Sequence, residues 1–238
     1  MRLDVALVER GLARSRTHAA SLIEEGRVTV DGVVATKAAQ RVTPASHLEA
    51  TVEPWVSRAA HKLLGALDAS GFVPRGRVLD AGASTGGFTQ VCLAHGADLV
   101  YAVDVGHRQL APELRAHPRV RVHEGLNLRD LTVAHLDGQP VERIVGDVSF
   151  ISLRLLLPAF DGVLADGGEA LLLVKPQFEV GRDRLGSGGL VRDQRLRRQA
   201  VDDVAAEAQS LGWRELWRGT SVLPGASGNE EYFVRFSR

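Results

Sequence analysis

A single cysteine, Cys92, and only three lysines, Lys37, Lys62 and Lys175, stand in a chain of 238 residues that carries 29 basic side chains. One cysteine excludes a disulfide framework and a cysteine-based zinc site. The eight histidines are scattered without metal-ligand spacing, so no metal is assigned. Cys92 falls one or two turns into the helix that follows a glycine-rich loop, the place of a small, buried, inert side chain. Also lacking is an uninterrupted apolar run of the ~20 residues that a membrane-spanning helix needs. The best candidate, residues 150–164, is broken by Arg154, Pro158 and Asp161. The start of the chain has charges inside any apolar stretch and no small-residue cleavage pattern, so no secretion signal is visible and a cytoplasmic location is expected. With 45% hydrophobic residues the chain has enough apolar material for a full core and one small extra domain.

Against these absences stands one dense motif. Residues 78–89, Val-Leu-Asp-Ala-Gly-Ala-Ser-Thr-Gly-Gly-Phe-Thr, read as a buried strand, a small-residue turn and a helix start, and a second strand follows that ends on Asp104. Glycines let the backbone of such a turn approach a ligand, and free N–H groups at a helix start favour an anionic group. An acidic residue roughly 20 positions on, at the tip of the next strand, is placed to accept hydrogen bonds from ribose hydroxyls. A dinucleotide fingerprint needs glycine at its second conserved position so that a pyrophosphate fits, and that position is Ser84. The expected ligand therefore carries a nucleoside and a carboxylate rather than a diphosphate, which S-adenosylmethionine satisfies. The candidate cofactor contacts are Asp80, Gly82, Ser84, Thr85, Gly86, Gly87, Phe88 and Asp104, with Asn127, after the third strand, near the adenine end. An asparagine there also reads as an ordinary turn residue.

The scarcity of lysine marks the chemistry. Arginine stays protonated in any protein environment, whereas a desolvated lysine can lose its proton and act as a base. Lys175 closes the apolar run Ala170-Leu-Leu-Leu-Val174, the profile of a strand buried on both faces, and Asp147 follows Arg143-Ile-Val-Gly146 in the same way. In open α/β sheets these carboxyl ends line the ligand crevice. Two readings stay open for the pair, catalysis or a structural ion pair at the sheet rim, and Lys62 reads equally as a solvated helix residue.

The first ~55 residues are organised differently. Leu3, Leu7 and Val8 before Gly11 predict a short helix, Ser15 to Gly26 a second, and Val28 to Val34 a hairpin around Asp31-Gly32. The whole chain balances 29 basic against 29 acidic residues, yet Arg10, Arg14, Arg16, Arg27, Lys37 and Arg41 face only three acidic residues over the same stretch. The pattern resembles the small RNA-binding module of a small-subunit ribosomal protein, tyrosyl-tRNA synthetases and pseudouridine synthases, which would present these six side chains to RNA phosphates. A solvated mixed-charge face is the alternative. Pro54 and the polar residues around it place a linker near residues 53–59, with Lys62 just beyond it on a helix from Ala59 to Ala69.

Four segments together carry a wider resemblance: Asp80-Ala-Gly-Ala-Ser-Thr-Gly-Gly-Phe-Thr, Asp147-Val-Ser-Phe-Ile-Ser-Leu, Val174-Lys-Pro-Gln-Phe-Glu and Gly228-Asn-Glu-Glu-Tyr-Phe. They resemble the TlyA family, haemolysin-named ribosomal RNA 2′-O-methyltransferases with an FtsJ-like catalytic domain, essentially end to end. The resemblance implies an α/β fold, a Rossmann-like S-adenosylmethionine-dependent methyltransferase sheet at residues 60–238, with a small α/β RNA-binding domain at residues 1–55. It implies a catalytic tetrad of Lys62, Asp147, Lys175 and Glu231, with the adjacent Glu230 as a rival for the last place. It also implies ribosomal RNA as the partner and cytidines in one or both subunits as targets.

The crevice narrows the acceptor. The loop at Asp147-Val-Ser-Phe150 does not resemble the Asn/Asp-Pro-Pro-aromatic loop of exocyclic-amine methylation, and Cys92 is badly placed as the nucleophile that carbon-5 methylation needs. A ribose hydroxyl remains, with Lys175 as the candidate base, Asp147 and Glu231 orienting, and Lys62 setting the charge balance. Phe150 either stacks on an extruded base or belongs to the core. The glycine-rich stretch 179–193 reads as a mobile substrate lid or as a plain linker before the next helix. The last two strands, about 215–222 and 231–236, read as an antiparallel pair on a parallel sheet. A non-catalytic ribosome-assembly protein and a membrane-lytic protein are the alternatives from other classes.

Overall fold

The protein is described by a computed structural model covering residues 1–51, 54–225 and 227–238, in two compact units, Met1–Pro54 and Trp55–Arg238. Glu53 of the expected linker and Ala226 of the expected connection between the last strands lie outside the described residues.

The first unit packs α1 (Leu3–Glu9) and α2 (Arg16–Glu24) with a three-stranded antiparallel sheet of order β2-β1-β3, formed by β1 (Val28–Val30), β2 (Val33–Val34) and β3 (Leu48–Ala50). The Ser15 hydroxyl accepts the His18 N–H at 3.1 Å and so caps α2. Asp31 and Gly32, with φ of 52° and 82°, form the tight turn between β1 and β2 that their sequence predicts. Leu3, Leu7, Leu22, Ile23 and Val28 are buried in the core of the unit. Among them lies Asp4, whose carboxylate accepts from Arg2 at 2.9 Å and pairs with Arg16 at 3.0 Å. The Arg2 hydrogen bond, with help from Arg16, holds the Asp4 carboxyl down to about 2.

The second unit opens with α3 (Ala59–Ser70), stopped by Gly71 at φ 65°. It continues through β4 (Gly76–Ala81), α4 (Gly87–Ala94), β5 (Ala97–Asp104), α5 (Pro112–Arg115) and β6 (Val120–Glu124). After these come β7 (Val141–Gly146), α6 (Leu157–Asp161), β8 (Leu164–Val174), α7 (Pro176–Glu179), α8 (Gln194–Ser210), β9 (Arg214–Thr220) and β10 (Tyr232–Ser237). Seven strands form one sheet of order β6-β5-β4-β7-β8-β10-β9, in which β10 alone runs against its neighbours. Leu79, Ile144, Leu172 and Val234 face one helical layer that includes Val201 and Val204 of α8. Their neighbours Val78, Val145, Leu171 and Phe233 face α3 and α4. Alternate burial on both faces is the period-two signature of a central strand.

One feature departs from expectation. β8 starts at Leu164, well before Ala170, because the chain loops out between Leu164 and Glu169, with Gly167 at φ 72°, and then rejoins the ladder with β7. The closing pair is antiparallel as expected, with β10 lying between β8 and β9. Strand order turns back between β4 and β7, so the crevice lies at their carboxyl ends, where Gly82 and Asp147 stand.

Candidate active site

Gly82 has φ 85°, and a Cβ there would stand 2.9 Å from the Asp147 carbonyl oxygen, so glycine is what lets the ends of β4 and β7 approach. Ser84, itself at φ 47°, donates its backbone N–H to Asp104 Oδ2 at 2.8 Å, and Gly106 donates to Oδ1 at 2.7 Å. Each carboxylate oxygen keeps acceptor capacity for a ligand hydroxyl. Asp80 lies beneath this loop, fully buried, with its Oδ2 accepting from Thr89 Oγ1 at 2.6 Å. Burial pushes its carboxyl up to about 7, and its Oδ1 has no partner among the described residues.

Three cavities open around the loop. One of about 470 Å³ is bordered by Gly82, Ser84, Asp104, Gln109 and Asn127. A second, of about 270 Å³, is bordered by Ser57, Ser84, Thr85, Gly87 and Phe88 at the start of α4. The third, about 940 Å³, holds Lys62, Lys175, Glu231, Gln177, Arg58 and Arg129. Asp147 and Ser149 border all three. Asp80 and Gly86 border none of them; Gly86 packs under Leu114 and Leu110, and the two residues shape the loop from behind. Phe88 shows little surface and sits mainly in the core, its ring centroid 6.2 Å from that of Phe233. Asn127 caps a short turn by accepting from the Arg129 N–H at 3.1 Å, and it also borders the first cavity.

In the largest cavity four charged side chains form two pairs. Lys62 Nζ lies 2.6 Å from Glu231 Oε2, both buried, and Lys175 Nζ lies 2.6 Å from Asp147 Oδ1. Lys62 is therefore no solvated helix residue: α3 turns it inward beside Leu63. Glu230 points elsewhere, pairing with Arg197 at 3.3 Å and accepting from the Tyr232 hydroxyl at 2.6 Å. Two neutral side chains complete the pairs and were not evident from the sequence. Lys175 Nζ donates to Ser149 Oγ at 2.7 Å, and Gln177 Nε2 donates to Glu231 Oε1 at 3.3 Å. Each is two residues from a charged member and lies within a segment that carries the family resemblance, which is the sequence signal they had.

Phe150 is 91% exposed at the rim, at φ 66°, its ring centroid 5.3 Å from that of Phe178, so a core role is excluded. Stretch 179–193 is anchored near both of its ends. Glu179 is buried and accepts the Leu153 N–H at 2.7 Å, and the buried Asn229 accepts from Val191 N at 2.9 Å while donating to Gly189 O at 3.0 Å. In the first unit Arg14, Lys37 and Arg41 are exposed. Arg10 holds the carbonyls of Thr43, Pro44 and Ser46 at 2.6–3.1 Å, Arg16 pairs with Asp4, and Arg27 pairs with Glu25 at 3.0 Å.

The profile of the FtsJ-like methyltransferases matches residues 55–238, and that of the S4 domain matches residues 1–47. Over 98% of its length the chain is 50% identical to the "16S/23S rRNA (cytidine-2'-O)-methyltransferase TlyA" of Mycobacterium tuberculosis, covering 88% of that protein. The chain belongs to the TlyA family of FtsJ-like methyltransferases. Within this family it is also 37% identical to the Hemolysin A of Brachyspira hyodysenteriae, over 99% of both chains. A solved hemolysin-named structure from Streptococcus thermophilus superposes with a TM-score of 0.78 at 36% identity, over 100% of this chain and 88% of that one. The sheet is thus the Rossmann-like methyltransferase sheet that the sequence resemblance implied. Despite the haemolysin naming, no helix among the described residues is long and apolar enough to cross a membrane.

Proposed function

We propose that this methyltransferase transfers a methyl group from S-adenosylmethionine to the 2′-oxygen of a cytidine ribose in ribosomal RNA, in the cytoplasm. The observation that carries the reading is the junction of the three cavities, bordered by Asp147 and backed by Lys175. The residues fit the cofactor: the first cavity offers Asp104 to ribose hydroxyls and Asn127 to the adenine end, and the second offers backbone N–H groups at the start of α4 to a carboxylate. Bound there, S-adenosylmethionine supplies an electrophilic methyl on a sulfonium.

The chain's own residues do the rest. The acceptor ribose enters the largest cavity, where Arg58 and Arg129 meet phosphates and the exposed Phe150 ring stacks on a base turned out of its helix. As the RNA binds, Lys175 releases its proton to solvent and then accepts that of the 2′-hydroxyl, so that the oxygen would take, in line, the methyl that the sulfonium would supply. Asp147 orients Lys175, and the Lys62–Glu231 pair fixes charge at the opposite wall. Residues 1–55 dock the RNA through Arg10, Arg14, Arg16, Arg27, Lys37 and Arg41, and residues 60–238 catalyse.

Binding and chemistry use different residues, so they separate experimentally. Lys175→Ala is expected to abolish transfer of labelled methyl to ribosomal subunits while cofactor affinity, read by calorimetry, stays near the wild-type value. Asp104→Ala is expected to weaken cofactor binding first. Equal loss of cofactor affinity in both variants contradicts the role given to Lys175.

A further inference from the structure

Ser149 belongs to neither ion pair, yet it stands where all three cavities meet. Its side chain is exposed to that junction, and its Oγ accepts a hydrogen bond from Lys175 Nζ at 2.7 Å. An ammonium has three hydrogens on a rotatable stem. The hydrogen bond to Ser149 Oγ at 2.7 Å fixes one of these directions, while the Asp147 carboxylate, 2.6 Å away, holds the ammonium by charge with its Oδ1 outside hydrogen-bonding geometry. The serine itself is held, because the next residues are tied down: Leu153 N–H donates to the buried Glu179, which follows Lys175 by one helical turn. Strand β8 and α7 thus grip the 147–153 loop at both ends.

We infer that Ser149 is the positioning residue that aims Lys175 Nζ at the acceptor oxygen, leaving its own hydroxyl hydrogen, which has no acceptor among the described residues, to be donated to that oxygen. The inference rests on the reading of Lys175 as the proton acceptor. In that reading the 2′-oxygen receives one hydrogen bond from Ser149 while its own hydrogen points to Lys175. This arrangement leaves a lone pair directed at the methyl carbon. Serine is therefore required for its geometry and its hydroxyl, and threonine supplies both.

The test compares Ser149→Ala, Ser149→Thr and Lys175→Ala in the full-length protein. Because the Ser149 side chain is exposed, the alanine variant is expected to fold as the wild type does, which circular dichroism checks. With ribosomal subunits as substrate, Ser149→Ala is expected to lower kcat roughly 10- to 100-fold, the scale of a misaimed reacting group. KM and the calorimetric affinity for S-adenosylmethionine are expected to stay within about 2-fold of wild type, and Ser149→Thr to recover most of kcat. A second readout needs no turnover. With only three lysines, ¹⁵N-lysine labelling gives three Nζ signals, and the one that disappears in Lys175→Ala identifies Lys175. Ser149→Ala is expected to move or broaden that signal alone, and Ser149→Thr to restore it. Wild-type kcat in the alanine variant, a loss confined to KM or cofactor affinity, or an unchanged Lys175 signal overturns the inference. Absence of methyl transfer in the wild-type protein would instead overturn the reading it rests on, with the lysine signal still deciding whether Ser149 holds Lys175.

Discussion

Asp80, with its carboxyl raised by burial from 3.8 to about 7, sits under the glycine loop with only Thr89 as a side-chain partner. A carboxyl whose folded pKa exceeds its unfolded one binds its proton more tightly in the native state, so its contribution is greatest below about pH 4 and is lost as pH climbs towards 7. Asp80→Asn keeps an acceptor for Thr89 and removes the titration. Denaturant midpoints of the two proteins between pH 4 and 8 are expected to converge at the acid end and to favour the asparagine variant near neutrality; parallel curves contradict this. The Lys62–Glu231 pair behaves differently, because both partners are buried. Removing one leaves an uncompensated charge at a cost of about 3–5 kcal/mol. Glu231→Leu alone is expected to lower stability on that scale, and adding Lys62→Met to recover most of it with no return of methyl transfer. Recovery of activity in the double variant would remove the pair from the chemistry.

Among the elements, the β4 loop is the least tolerant of change. Gly82→Ala forces a side chain to φ 85° against the Asp147 backbone, with about 1–2 kcal/mol of conformational strain before any clash. It is expected to weaken both cofactor binding and transfer, since the loop packs directly against the Asp147 backbone. Asn229→Ala is expected to speed amide exchange at Gly189 and Val191 well before exchange at β8 changes, because its amide ties those residues to the β10 approach. What the sequence made legible follows from period and punctuation. The β4 turn, Asp104, and the lysine and aspartate closing β8 and β7 sit at ends of apolar runs, where a charge has few explanations. Ser149, Gln177, Gln109 and Asn229 are uncharged polar residues in loops or short turns, where no periodicity singles them out. Glu231 was separable from Glu230 only through a motif spacing, since two adjacent carboxylates before a strand differ in which face they meet, and that is a property of the strand. The insertion of β10 between β8 and β9 was invisible for the same reason: pairing partners depend on long-range packing, not on local pattern.

At the scale of the whole molecule, a chain of zero net charge has to concentrate its basic residues to hold RNA. Arg14 and Arg41 are exposed in the first unit, and Arg16 reaches the surface while pairing with Asp4. Replacing all three by alanine is expected to weaken binding to ribosomal subunits and to flatten its salt dependence, because each lost phosphate contact releases fewer counterions, with cofactor affinity unchanged. Subunit affinity that stays at the wild-type value across the titration would remove the first unit from substrate recognition. The central claim concerns the atom that receives the methyl group, and it is tested most directly on the product. Ribosomal subunits incubated with the protein and labelled S-adenosylmethionine, then digested to nucleosides, are expected to yield the label as 2′-O-methylcytidine, with none when Lys175→Ala is used. Label on a base, or 2′-O-methylcytidine formed undiminished by the Lys175 variant, would contradict the account.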